Sequence, residues 1–220
     1  MHKEIQEAID HPIEFKTSYY FSQSWAIFGK APWMFIGAML VGGIISFVLT
    51  TLPYIGEILS SAFSTIFFAG FYIVSKKIKD GTSFEFNDFF GAFQQNFKLL
   101  LIIVLSYLFI LIGFALLVLP GIYLLIAYSL SMPIALFYDE EVWTTLETSR
   151  KIVTKKWFSF FLFFILLILF NLAGAICLVI GLLVTIPVSV ISVYVIFDDL
   201  LKPSQNSTYF QDIETLDSDI

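Results

Sequence analysis

Two long charge-free runs constrain this chain more than any other feature: Leu99 to Tyr138 is 40 residues and Trp157 to Phe197 is 41. A helical crossing of a hydrocarbon core about 30 Å thick takes roughly 20 residues. Each run is therefore long enough for two crossings. A third stretch matches once a single charge is allowed, because Ala31 to Gly56 (26 residues) and Ile58 to Ser75 (18 residues) flank Glu57. Composition agrees: 58% of the 220 residues are hydrophobic and only 14% are charged, against about a quarter charged in ordinary chains. A water-soluble domain cannot hide that much apolar surface. A soluble enzyme, a disordered protein and a nucleic-acid binder are thereby excluded.

The predicted fold class is all-α: a polytopic membrane helical bundle of six transmembrane helices, arranged as three hairpins joined by amphipathic interfacial connector helices. The expected spans are 33–52, 55–75, 99–118, 121–138, 157–176 and 178–197. Turn signals divide the three blocks: Leu52-Pro53-Tyr54-Ile55-Gly56-Glu57, then Leu119-Pro120-Gly121, then the looser set Asn171, Gly174 and Gly181. A membrane β-barrel needs short segments of alternating polarity, and Phe160 to Leu167 shows no alternation. Residues 1–30 are expected to form a cytoplasmic N-terminal segment with an interfacial helix, 31–197 the transmembrane domain, and 198–220 an acidic, disordered cytoplasmic tail.

The cations set the orientation. Lys3, Lys16 and Lys30 precede the first span; Lys76, Lys77, Lys79 and Lys98 lie between the first and second blocks. Arg150, Lys151, Lys155 and Lys156 lie between the second and third, and Lys202 follows the last. None lies in a turn within a block. The positive-inside rule then makes the connector face cytoplasmic, with both termini inside. The first 30 residues carry seven charges and lack the short apolar core of a cleavable signal. The expected location is the bacterial cytoplasmic (inner) membrane.

Each block follows an amphipathic segment. These are Tyr20, Phe21, Trp25 and Phe28; then Phe89, Phe90, Phe93 and Phe97, with Asn87 or Asp88 as a cap; then Val142, Leu146, Ile152 and Val153. Three units are expected, starting near residues 14, 84 and 139. Small residues recur every four positions: Ala38 and Gly42; Ser61, Thr65 and Ala69; Ala173, Cys177 and Gly181. They predict close helix packing within the bundle or at a dimer face. The single cysteine, Cys177, reads as a small packing residue.

Catalytic and ligand-binding chemistry is sparse. His2 and His11 are the only histidines, and neither His-Glu-x-x-His nor Gly-x-Ser-x-Gly occurs. No catalytic, cofactor-binding or metal-ligating residue is assigned, and no cofactor is expected. Glu57 is the one ionisable carboxylate outside the cytoplasmic segments, and a turn position spares it the cost of burial in the bilayer. Asn171, Ser106, Tyr107, Tyr123, Ser129 and Thr185 could line a path for a neutral or amphipathic solute, or simply bond to neighbouring helix backbones. Pro120, Pro133 and Pro187 could kink or end helices. Arg150 could bridge back to an acidic group on another connector, but the favoured reading of Asp139-Glu140-Glu141 and Ser149-Arg150-Lys151 is helix capping plus attraction to the leaflet.

Leu119-Pro120-Gly121-Ile122-Tyr123-Leu124, Pro133, Asp139-Glu140, Thr148-Ser149-Arg150-Lys151 and Lys156-Trp157-Phe158, with Asn171, Gly174, Gly181 and Pro187, form a recognisable pattern. It resembles a broad group of uncharacterised bacterial six-helix integral membrane proteins. That group includes the membrane domain attached to some glycerophosphodiester phosphodiesterases. The resemblance covers roughly residues 84–200 and implies the fold without a catalytic role. No hydrolase domain is present to carry that activity. The expectation is a non-enzymatic accessory or organising membrane component, whose partners are membrane lipids and a second copy or another membrane protein, not nucleic acid. The alternative is a small transporter or lipid-handling protein with a cavity between hairpins. A solid apolar core favours the first, and a polar cavity within the bundle favours the second.

Overall fold

The computed structural model describes residues 3–10, 12–176 and 180–201. The helices are α1 (Lys3–Asp10), α2 (Thr17–Lys30), α3 (Pro32–Thr50), α4 (Gly56–Lys79), a 3-10 helix (Phe86–Gln95), α5 (Asn96–Leu116), α6 (Val118–Ala127), α7 (Ser131–Phe137), α8 (Val142–Thr154), α9 (Trp157–Ile176) and α10 (Leu182–Leu201). No strand occurs among the described residues. Six segments are long and apolar enough to cross a membrane: α3, α4, most of α5, the α6–α7 pair, α9 and α10. They pair in sequence order as three hairpins, α3 with α4, α5 with α6–α7, and α9 with α10. A connector precedes each hairpin: α2, the 3-10 helix and α8.

Burial runs opposite to hydropathy. The three more apolar spans, α3, α5 and α9, have 17%, 22% and 22% of their residues buried. The three less apolar ones, α4, α6–α7 and α10, have 44%, 44% and 56%. In water the most apolar helix would be the most buried. In lipid, hydrocarbon tails are as apolar as leucine, so the greasiest helices face outward and small or hydroxylated ones pack inside. Helix α10 is the hub. It touches α1, α2, α3, α4, α7 and α9, and its Thr185, Val188, Ile191, Ser192 and Val195 are buried.

The first turn falls where its residues place it. Thr50 and Thr51 donate to the carbonyls of Phe47 and Val48 at 2.7 Å, capping the end of α3, and Tyr54 takes a positive φ of 68°. Glu57 sits exposed in the first turn of α4, where the helix dipole favours a carboxylate. The second turn differs from expectation. Leu117 alone joins α5 to α6 in extended backbone (φ −162°, ψ 155°), and Pro120 lies inside the first turn of α6. There its missing N–H costs no helical bond, so the Pro-Gly pair begins a helix instead of making the turn. Between α9 and α10, residues 177–179, Cys177 among them, lie outside the described residues. The last helix runs on to Leu201, so Asp198 to Leu201 belong to the bundle. Residues 202–220 of the expected tail lie outside the described residues.

The connectors pack by their own periods. In the 3-10 helix, three residues per turn bring Phe90 and Phe93 into one row, against Phe67 and Phe63 of α4. Phe89 wedges between Phe35 and Phe71. Phe97, expected on the same face, is exposed instead, because the period changes where α5 begins. Gly70 permits this contact: a Cβ there would overlap the Phe89 carbonyl oxygen. The small-residue rows are used unevenly. Gly42 faces Phe67 across the first hairpin, and Ala38, one turn back, is fully buried. Ala173 is exposed, and its neighbour Gly174 makes the close approach, against Thr185 and Gly181.

Candidate functional site

The fourth span is built differently from the others. Among the described residues it alone consists of two helices, α6 and α7, separated by a turn at Tyr128, Ser129 and Leu130. Pro133 explains the break, since it has no N–H for the Ser129 carbonyl and its ring would clash with that carbonyl in a continuous helix. The gap is filled from α8. Ser149, fully buried, donates to the Ala127 carbonyl at 2.7 Å and accepts from the Leu130 N–H at 3.2 Å. Irregular backbone within a membrane bundle is tolerated where protein groups satisfy it in this way.

Beside the break lies a cavity of about 270 Å³ between α4, α5 and α6–α7, near the lower end of ligand-pocket sizes. Its apolar lining is Ile102, Ile103, Ile110, Leu125 and Met132. Hydroxyls come from Thr65, Ser106, Tyr107, Tyr128 and Ser131. Ser131 donates to the Tyr128 carbonyl at 2.7 Å, whereas the buried Ser106 Oγ has no partner. Ile102, Ile103 and Ser131 are buried, while Tyr107 and Leu125 are about half exposed, at 53% and 51%. The cavity therefore communicates with the outer surface of the bundle, where Val104, Leu108 and Leu111 are exposed. Among the described residues no charged one lines it.

The sequence candidates divide between two places. Ser106 and Tyr107 meet in the cavity. Asn171 and Thr185 lie in the third hairpin, where Asn171 Nδ2 donates to the Leu167 carbonyl and to Ser189 Oγ, both at 2.8 Å. Asn171 Oδ1, Thr185 Oγ1 and Ser129 Oγ are buried without partners. Tyr123 bonds to Thr154 Oγ1 at 2.7 Å on α8. Sequence reading missed Thr65, Tyr128 and Ser131 as cavity residues. The available signal was Pro133, four residues beyond Ser129 and therefore aimed at a specific helical bond.

Among the described residues Arg150 bridges to no acidic group on another connector. It forks onto Glu147, one turn back on α8, with Nε to Oε2 at 2.8 Å and Nη2 to Oε1 at 2.7 Å. The fork geometry suits a guanidinium and a carboxylate three residues apart on a helix. It holds the Glu147 carboxyl below the usual glutamate range, against a smaller opposing effect of burial. Expected connector faces likewise proved incomplete: Leu146, Ile152 and Val153 are buried on α8, but so are Thr145, Thr148 and Ser149.

A second polar cluster joins the C-terminal ends of α4 and α10. Lys79 pairs with Asp198, whose side chain is only 5% exposed. Tyr194 donates to Asp198 Oδ1 at 3.4 Å, and Tyr20 of α2 donates to Asp199 Oδ2 at 2.9 Å. Ser192 donates to Ser24 at 2.8 Å one level along. Of these residues, Asp198 and Asp199 fall in the segment expected to be a disordered tail. The i, i+4 spacing of Tyr194 and Asp198 on a helix could have revealed them. Among the described residues no group of three or more His, Cys, Asp and Glu side chains is placed to hold a metal ion.

The fold and its spans define a multi-pass helical membrane protein. No protein-family model, curated protein or solved structure matches the chain.

Proposed function

We propose that this is a non-enzymatic, lipid-handling protein of the bacterial cytoplasmic membrane, which binds an apolar or amphipathic membrane molecule in the cavity beside the broken span. The observation that carries this reading is the coincidence of three features in one place: the interrupted helix, the hydroxyl-bearing apolar cavity, and its opening onto the lipid-facing side of the bundle. Broken helices mark the binding sites of many membrane carriers because freed backbone and small polar groups are tolerated only against a cavity. Both termini are proposed to be cytoplasmic, by the lysine distribution. The membrane lipids themselves are the proposed partners. Kinship with the six-helix group that the Leu119–Leu124 motif resembles belongs to the same proposal.

The test is mass spectrometry of the intact protein released from mild detergent. Wild type is expected to retain a bound lipid or other apolar molecule. Ser106→Phe, which fills the cavity from the α5 side, should lose it while keeping its melting temperature. A protein that emerges empty, or a variant that retains the same adduct, would overturn the cavity reading and leave the accessory, organising role. Orientation is checked separately on a Cys177→Ser background. Ile55→Cys should react with an impermeant maleimide in intact cells, and Thr82→Cys only after lysis.

A further inference from the structure

The cavity has a charged neighbour. Tyr128 lines the cavity, and Ser149 of α8, next to Arg150, bonds to Ala127 and Leu130 on either side of it. Five residues before Tyr128, on α6, the Tyr123 hydroxyl meets Thr154 Oγ1 of α8. The local bonding fixes its proton. Thr154 Oγ1 donates to the Arg150 carbonyl at 2.6 Å, so its hydroxyl hydrogen is committed. The Tyr123 hydroxyl must then donate to Thr154 at 2.7 Å. Lys151 Nζ lies 3.7 Å from the Glu147 oxygen that Arg150 also uses. Two cations thus share one carboxylate, and one positive charge is left over at the α6–α8 junction. The Trp157 ring sits 6.3 Å from that of Tyr123, and its buried Nε1 has no partner.

From this we infer that the Arg150–Lys151 junction receives the phosphate of a phospholipid with a net negative headgroup, one acyl chain of which enters the cavity beside Tyr128. The inference rests on the lipid-handling reading and adds the headgroup class to it. Charge complementarity selects the occupant. The uncompensated cation favours an anionic lipid over a zwitterionic one, and basic groups between membrane helices are the usual seats of anionic headgroups. Lys151 is the contact that can move, with a side chain 47% exposed, whereas Arg150 is held by its fork onto Glu147.

The experiment titrates the full-length protein in detergent with phosphatidylglycerol or with phosphatidylcholine of identical chains, counting adducts by native mass spectrometry. Wild type should prefer phosphatidylglycerol. Lys151→Gln should reduce that preference about fivefold, the effect of one cation near an anionic headgroup, and Lys151→Arg should restore it. Equal binding of both lipids to wild type, or a preference untouched by Lys151→Gln, overturns the headgroup assignment while leaving the cavity reading intact. Loss of all adducts from wild type would overturn both. A third arm adds sn-glycerol 3-phosphate. Stabilisation by it equal to that by phosphatidylglycerol would show that a free phosphate suffices, and would overturn the lipid as the source.

Discussion

Ser149 of α8 bonds to Leu130 across the break in the fourth span: its Oγ accepts the Leu130 N–H at 3.2 Å and donates to the Ala127 carbonyl at 2.7 Å. One hydroxyl from a connector thus replaces the helical bonds lost around Pro133. Removing it strands a buried backbone N–H and carbonyl, at about 1–3 kcal/mol for a buried unsatisfied group. Ser149→Ala should lower the melting temperature in detergent and raise amide exchange at Leu130. Unchanged exchange there would mean the break is satisfied by other means.

Gly70 tests the seat of the 3-10 helix. A methyl at this position collides with the Phe89 carbonyl, which is backbone and cannot swing aside. Gly70→Ala should displace the connector and cost about 1–3 kcal/mol, the range for overpacking a core. Gly29→Ala provides the contrast, because nothing lies within 4 Å of a Cβ there. Thermal unfolding of both variants decides it, and equal stability would contradict the close approach.

The Lys79–Asp198 pair should behave as a buried ion pair. Deleting one partner leaves the other charge desolvated, at about 3–5 kcal/mol, whereas replacing both with apolar groups of similar volume costs much less. Lys79→Met should therefore destabilise more than the double variant Lys79→Met/Asp198→Leu, because it leaves the Asp198 carboxylate, only 5% exposed, without that cation. A double-mutant cycle on unfolding in mixed micelles measures the difference. Additive losses would show that the two side chains do not depend on each other.

Glu147 predicts an acid limb of stability. Its carboxyl is held below the ordinary glutamate value chiefly by the hydrogen bonds from Arg150. A depressed folded-state pKa means that the folded state resists protonation more than the unfolded chain does. The stabilisation is therefore complete above the unfolded value, about 4.3, and is lost as pH falls through the lower folded value. Between about pH 5 and pH 3, wild type should lose more stability than Glu147→Gln. Parallel pH profiles would remove the fork from the account.

The sequence by itself determined the number, order and approximate limits of the six spans, because membrane crossing depends on the length of an apolar run, a property local to each segment. The 41-residue run from Trp157 to Phe197 already contained α9 from end to end. Connector positions were legible for the same reason, from periodic aromatics between charged residues. Tertiary structure decided everything that depends on which faces meet. It placed α10 at the centre, brought Thr65, Tyr107 and Tyr128 around one cavity, and sent Ser149 into the gap at Leu130. It also buried Asp198 against Lys79, 119 residues away. The physical reason lies in the solvent. Lipid satisfies apolar side chains wherever they point, so hydropathy announces that a helix inserts but not which side it turns inward. That choice falls to hydroxyls, small residues and a few charges, whose value exists only once a partner stands opposite.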